Sequence, residues 1–252
     1  MIASQRFETI VEMVDKNGVV NTKELAQLLK VTETTIRRDC EELEKSGKLI
    51  RVHGGAKAIH QKHILSNRDE KKMKDRTENY EEKCRVCEKA ASFVEEGDCI
   101  FLDGGTSIVP MVKYLKGKKV KIVTHSHLIA EEFQDSDSEV FVIGGKYIPE
   151  YNMVIGPIAL GNLSRFNFDC AFFGCVGYDL ERQIVYTTEM DTMLIKEKAM
   201  ELSTKNYLLM DASKLDIKGF YSFVSRDAFD SVICSESEQL VKDELPDNFI
   251  VV

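Results

Sequence analysis

The chain has 252 residues, of which 43% are hydrophobic, enough for one small domain and one of ordinary size. No apolar run approaches the ~20 residues of a membrane span, and Ser4-Gln5-Arg6-Phe7-Glu8 interrupts any leader-like start, so a cytoplasmic protein with no membrane partner is expected. The net charge of −8 is uneven: residues 1–60 carry +1 (ten basic, nine acidic) and the remainder −9, so the acidic excess lies where it does not oppose a polyanion at the amino-terminal end.

In chain order, Phe7, Ile10, Val11 and Val14 mark a first amphipathic helix ending near Asn17-Gly18, where glycine suits a carboxyl-terminal cap. Asn21-Thr22 caps a second helix whose apolar face is read as Leu25, Leu28 and Leu29, and Lys30-Val31 makes a tight turn. Thr32 or Thr34 opens the third helix, in which Ile36, Cys40 and Leu43 share one face. Thr34, Arg37, Arg38 and Glu41 then fall on the opposite face, where forked guanidinium donors and hydroxyls suit phosphates and base edges. A charged, solvated helix is the plainer reading, and Glu41, Glu42 and Glu44 do make its second half acidic. The neighbourhood favours a helix-turn-helix: Ser46-Gly47 stops the helix, and Leu49-Ile50-Arg51-Val52 reads as a strand running into a Gly54-Gly55 wing. The candidate contacts to double-stranded operator DNA are Thr34, Thr35, Arg37, Arg38, Arg51, His53, Gly54 and Gly55.

The chain divides into a winged helix-turn-helix over 1–57, a polar and charged linker over 58–78, and a second domain over 79–252. In the second domain a helix over about 80–95 precedes the strand Cys99-Ile100-Phe101-Leu102, and a helix running to Leu115 follows it. Strands are read at 120–124, 140–143, 170–173, 207–210, 231–234 and 249–252, with helices near 128–133 and 191–202. Short, continuously apolar strands alternating with helices indicate an α/β fold with a mostly parallel, Rossmann-like sheet buried on both faces. Ligands of such folds bind beyond the carboxyl ends of the strands. Those ends carry Asp103-Gly104-Gly105-Thr106-Ser107, Thr124-His125-Ser126, Gly144-Gly145, Gly174, and Asp211-Ala212-Ser213-Lys214. Each alone reads as a turn. Together they suggest a polyhydroxy-phosphate site, with Asp103 accepting from sugar hydroxyls, glycines allowing close approach and Lys214 supplying a cation.

Of seven cysteines, only Cys84 and Cys87 have ligand-like spacing, and they sit in a helical run where buried thiols are the simpler reading. No metal and no cofactor are expected.

Thr35-Ile36-Arg37-Arg38-Asp39, with Glu42-Leu43, Gly47 and Arg51-Val52-His53-Gly54-Gly55-Ala56, resembles the winged helix of the DeoR family of bacterial transcription regulators. Cys40 stands where that family usually has leucine. The resemblance starts near Gln5 and continues almost to the carboxyl terminus. It implies a sensor domain of the ribose-phosphate isomerase and coenzyme A transferase type. Its ligand loops would be Asp103, Gly105, Thr106 and Ser107; then Thr124 and Ser126; then Gly144 and Gly145; and last Asp211 and Lys214. It also implies a role for Lys196, preceded by Thr187-Thr188-Glu189. Three positions depart from the family pattern: His125 replaces a frequent asparagine, Gln183 a frequent glycine, and the acidic residue before Lys196 is Glu189 or Asp191.

These features point to a repressor of a carbohydrate-metabolism operon, without catalytic residues, controlled by a phosphorylated sugar or related metabolite. Symmetric DNA half-sites imply a homo-oligomer, a dimer or tetramer. The alternative is a sugar-phosphate isomerase with an appended DNA-binding domain, using Asp103, Glu189 or Asp191 as base. A thiol-based or zinc-responsive regulator would rest on Cys84 and Cys87 alone.

Overall fold

The computed structural model describes residues 3–17, 19–52, 54–58, 72–133, 136–237, 239–240 and 245–252. His53, the Gly18 cap and linker residues 59–71 lie outside them. The chain forms two units, 1–63 and 64–252.

In the first unit, α1 (Ala3–Asn17), α2 (Thr22–Leu29) and α3 (Glu33–Lys45) pack with a three-stranded antiparallel sheet of β1 (Val19–Asn21), β2 (Leu49–Val52) and β3 (Gly55–Ala58), in the order β1-β3-β2. Asn21 caps α2 by accepting from the Lys23 N–H, and Lys30 ends it in the left-handed conformation at φ 52°. Thr32, and not Thr34, caps α3 by accepting from the Thr35 N–H. Ile36, Cys40 and Leu43 are buried with Ile10, Val14, Leu25 and Leu49. Leu28 departs from expectation and is 59% exposed. The inner face of so short a helix runs through Thr22, Leu25, Ala26 and Leu29, and Leu28 lies well round from it. Strand β1 was not read from the sequence, because three residues carry no usable alternation.

The second unit begins before the expected boundary at 79. A 3-10 turn at Met73–Asp75 is pinned by the Met73 N–H donating to the Glu150 carbonyl at 2.9 Å. The element order is then α4 (Tyr80–Ala91), β4 (Cys99–Leu102), a 3-10 turn (Val109–Met111) leading into α5 (Val112–Leu115), β5 (Lys121–Thr124), α6 (His127–Glu132) and β6 (Glu139–Val142). A hairpin of β7 (Lys146–Ile148) and β8 (Met153–Ile155) precedes α7 (Pro157–Leu163), β9 (Phe168–Gly174), β10 (Gly177–Asp179) and β11 (Ile184–Thr187). Last come α8 (Met190–Glu201), β12 (Ser203–Met210), β13 (Tyr221–Ser225), β14 (Ser231–Cys234) and β15 (Phe249–Val251).

Seven strands form one wholly parallel sheet in the order β15-β14-β12-β9-β4-β5-β6. Alternate residues of each strand enter two separate cores. Ile100, Leu102, Ile122, Phe172 and Leu209 face α4 and α5, whereas Phe101, Val123, Phe173, Leu208 and Met210 face α7 and α8. The chain leaves β4 for β5 on one side and later returns as β9 on the other. The ends of β4 and β9 therefore flank a topological switch point, where such sheets form a crevice. A second, antiparallel sheet β10-β11-β13 was missed by the sequence reading, as were α7 and the β7-β8 hairpin. In it Gln183 holds φ 55°, a conformation that explains a preference for glycine there.

The wing depends on two glycines for different reasons. Gly54 adopts φ 79° with open space around it, while a Cβ on Gly55 would stand 2.2 Å from the Val20 carbonyl oxygen across the β1-β3 pair. Gly55→Ala should therefore force backbone apart and cost about 1–3 kcal/mol. Gly54→Ala should cost about 1–2 kcal/mol of left-handed strain with no clash. Thermal unfolding of both variants checks this; a Gly55→Ala chain as stable as wild type contradicts the packing described.

Candidate functional site

In the first unit, Thr34, Arg37, Arg38, Arg51, Gly54 and Gly55 line one groove, together with Thr22 and Glu41. Thr22 anchors the wing, its Oγ1 and backbone N both donating to the Gly54 carbonyl. The side chains of Arg37 and Arg38 are 70% and 82% exposed, each held among the described residues by a glutamate one turn away, Glu33 at 3.5 Å and Glu42 at 3.9 Å. Exposed pairs of this kind contribute only a few tenths of a kcal/mol and exchange readily for phosphate. Arg51 reaches from β2 toward Glu41 at 3.8 Å and Glu44 at 3.7 Å. Thr35 does not line the groove; its hydroxyl meets that of Thr32 at 2.9 Å within the helix cap. On the other side of α3, Asp39 is buried and takes two hydrogen bonds from Arg6, at 2.7 and 2.9 Å. The sequence reading gave Asp39 and Arg6 no role; a charged residue on the apolar face of α3 was the signal.

In the second unit, a pocket opens at the switch point. It is lined by Asp103, Gly105, Thr106, Ser107, Gly174, Glu189, Lys196 and Lys214 from the expected set, and also by Arg76, Tyr151, Cys175 and Thr192, which the sequence reading did not single out. Thr187 and Thr188 complete the wall beside Glu189. Asp191 is exposed and outside the pocket, so Glu189 is the acidic residue that faces it. Glu189 Oε1 accepts from the Tyr151 hydroxyl at 3.0 Å.

Asp103 is the electrostatic centre. It is 1% exposed, and its Oδ2 accepts from Lys196 Nζ and from the Gly174 N–H, both at 3.0 Å. Its Oδ1 lies 3.1 Å from His125 Nε2. Burial by itself would raise the Asp103 pKa, but the Lys196 charge and the His125 contact outweigh it and hold the carboxyl well below its usual range. Lys196 also donates to the Gly174 carbonyl at 2.6 Å, so one lysine binds β9 and the carboxylate together.

His125 does not reach the pocket. It is fully buried, with Nδ1 3.1 Å from the Val154 carbonyl oxygen and Nε2 3.2 Å from the Gly104 nitrogen as well as beside Asp103. It orients Asp103 from behind.

Other expected residues serve the scaffold. Thr124 Oγ1 donates to the Leu102 carbonyl at 2.7 Å and accepts from the Ser126 N–H at 3.0 Å, and Ser126 caps α6. Gly145 presses on the Ile155 carbonyl at φ 159°, a site where a Cβ would come within 2.7 Å, and Gly144 accepts from Asn162 Nδ2 at 3.3 Å. Asp211 Oδ1 accepts from Asn79 Nδ2 at 2.8 Å and from Ser213, closing the turn that carries Lys214; its buried Oδ2 has no partner among the described residues. None of these five lines the pocket.

The Cys87 thiol is buried and donates to the Ser107 carbonyl at 3.0 Å, and burial pushes its pKa up, away from thiolate reactivity. Among the described residues no cluster of three or more His, Cys, Asp or Glu could hold a metal, and no helix is long and apolar enough to cross a membrane.

A winged helix-turn-helix joined to a parallel α/β unit with a polar switch-point pocket defines a DNA-binding transcription regulator with a sensor domain. Residues 6–62 match the family model of the DeoR-like helix-turn-helix domain, and residues 78–236 that of the DeoR C-terminal sensor domain. The chain belongs to the DeoR family of transcription regulators. It is 32% identical to the uncharacterized HTH-type transcriptional regulator FruR of Bacillus subtilis, covering 100% of this chain and 98% of that one. It is 29% identical to the lactose phosphotransferase system repressor of Streptococcus mutans, covering 96% of each. Among solved structures, ribose 5-phosphate isomerase A of Methanocaldococcus jannaschii overlays with a TM-score of 0.41 at 16% identity, covering 54% of this chain and 55% of that one.

Removing one partner of a buried ion pair leaves the other charge stranded. Asp103→Ala should therefore destabilise the second unit by about 3–5 kcal/mol. Because the folded-state pKa of Asp103 is depressed, its contribution is present above the unfolded value near 4 and is lost as pH falls below it. Denaturant titrations between about pH 3 and 7 should give a shallower acid loss for Asp103→Asn than for wild type; parallel curves would remove Asp103 from this role.

Proposed function

We propose that the protein is a repressor whose second unit binds a phosphorylated sugar, contacting it through Asp103, Gly105, Thr106, Ser107, Gly174, Glu189, Lys196 and Lys214. The observation that carries this is the mixed lining of the pocket: carboxylates that accept from hydroxyls stand beside the cations Arg76, Lys196 and Lys214 and the hydroxyl-bearing loop 105–107. Sugar hydroxyls and a phosphoryl group need these two chemistries together. The names of relatives, among them a lactose phosphotransferase system repressor and the repressor GlcR, agree with a carbohydrate signal. Operator DNA is the partner of the groove on the first unit, and a dimer or tetramer matches the symmetry of DNA half-sites.

A sensor is favoured over an isomerase that would use Asp103 as its base by the state of that carboxyl. A general base works best with a pKa near the operating pH. Asp103 is held ionised far below that, with both oxygens engaged, and has little affinity for a substrate proton. Its better use is to accept hydrogen bonds.

Thermal-shift screening against pentose and hexose phosphates and their unphosphorylated sugars tests the ligand class. At least one phosphate ester should stabilise the protein where its parent sugar does not, and Lys214→Ala should weaken that ester about tenfold or more by losing a charge-assisted contact. A panel without any stabilising ester, or one turned over by the enzyme-free control rate multiplied many-fold, contradicts the reading. On the DNA side, Arg37→Ala or Arg38→Ala should weaken operator binding about ten- to a hundredfold if the side chain reads a base, with the fold intact by circular dichroism. An arginine that meets only phosphate should instead lose affinity on all sequences equally and flatten the salt dependence. Unchanged binding in both variants rules out this docking face.

A further inference from the structure

Lys83 lies on the inner side of α4 and is 6% exposed. Its Nζ donates to the Glu78 carbonyl at 2.7 Å and to Thr106 Oγ1 at 3.2 Å, and among the described residues no carboxylate stands within ion-pair distance of it. A buried ammonium that no carboxylate contacts directly is costly to keep. Burial pushes its pKa down; the charges of Asp211 and Glu78 oppose that in part, and those of Lys214 and Arg76 add to it.

Thr106 gives this arrangement a use. A hydroxyl that accepts from a lysine must send its own hydrogen elsewhere. Thr106 lines the pocket, so the open direction for that hydrogen is toward a ligand. The loop then presents an O–H donor backed by a positive charge, with Lys214 and Arg76 lining the same pocket.

We propose that Lys83 is a positioning residue for a phosphoryl group in this pocket, acting through Thr106, whose hydroxyl it turns into a donor toward a phosphoryl oxygen. The proposal rests on the sugar-phosphate reading of the pocket and names the corner that takes the charged group. A purely structural lysine, tying the Glu78 carbonyl to α4, is the competing role, and the two differ in what they do to stability without ligand.

The test uses the full chain with inorganic phosphate as the probe, by calorimetric titration and thermal unfolding at constant ionic strength. Wild type should be stabilised in proportion to phosphate occupancy. Lys83→Met should bind phosphate about tenfold or more weakly, Lys83→Arg should recover part of that loss, and Thr106→Val should reproduce it while Thr106→Ser does not. Without phosphate, Lys83→Met should unfold no earlier than wild type, because an apolar chain of similar length removes a buried charge that no carboxylate contacts. A Lys83→Met protein that is less stable without phosphate yet binds it as wild type does would assign the lysine to structure alone and overturn the proposal. If Lys83→Met fails to fold, the Thr106 pair decides, and equal binding by Thr106→Val and Thr106→Ser overturns it. A wild type indifferent to phosphate also overturns it, while the sugar-phosphate screen retains its own separate outcome.

Discussion

The sensor unit is organised around one buried carboxylate. Asp103 follows β4 at the middle of the sheet, and its two oxygens gather the end of β9 through Gly174, α8 through Lys196 and the end of β5 through His125. Strand pairing holds these strands side by side, but it does not determine what their carboxyl ends present to a ligand. The carboxylate does. Without a countercharge it would be driven toward its neutral form by burial, and without the carboxylate Lys196 would be an unneutralised cation against Phe223. The pair is therefore maintained as a unit, and the pocket inherits from it one fixed acceptor and one fixed cation.

The first unit uses the same physics in the opposite sense. Arg6 and Asp39 form a close, largely buried pair that attaches α3 to α1, whereas Arg37 and Arg38 are left on the outer face in long, solvent-screened contacts with glutamates of their own helix. Charges needed for the fold are given short bonds away from water. Charges on the outer face are held by weak, solvent-screened pairs, so an incoming anion such as phosphate could displace their partners at small cost.

Control of DNA binding by a ligand requires unequal affinity for two states of the protein, and the coupling is reciprocal: operator binding must alter ligand affinity by the same factor. The residues that follow the linker are suited to take part. Met73 and Arg76 are part of the pocket wall, the Met73 N–H is bonded to the β7-β8 turn at Glu150, and the Glu78 carbonyl is bonded to Lys83. Residues 73–83 of the second unit thus form part of the wall and the support of its pocket.

Much of this organisation was legible in the residues themselves. The spacing of Ile36, Cys40 and Leu43 placed Arg37 and Arg38 on the outer face of α3, because helical period alone decides which side chains share a face. The apolar runs at 99–102 and 170–173 marked buried parallel strands, and the rule that ligands lie beyond their carboxyl ends led to Asp103, Thr106, Gly174 and Lys214. What sequence could not decide was which strand-end residues face the pocket and which face the scaffold. Thr124, Ser126, Gly144, Gly145 and Asp211 have the same chemistry as the residues that line it, yet their hydrogen bonds and close contacts turn them inward. His125 looked like a ligand contact or an idle loop residue, and only the approach of β4, β5 and β8 made it the support of a carboxylate. Arg6 with Asp39, and Lys83 with Thr106, lie 33 and 23 residues apart. Local periodicity carries no information about such pairs; they exist because the fold brings distant polar and charged groups into one low-dielectric place, where each must find a hydrogen-bond partner.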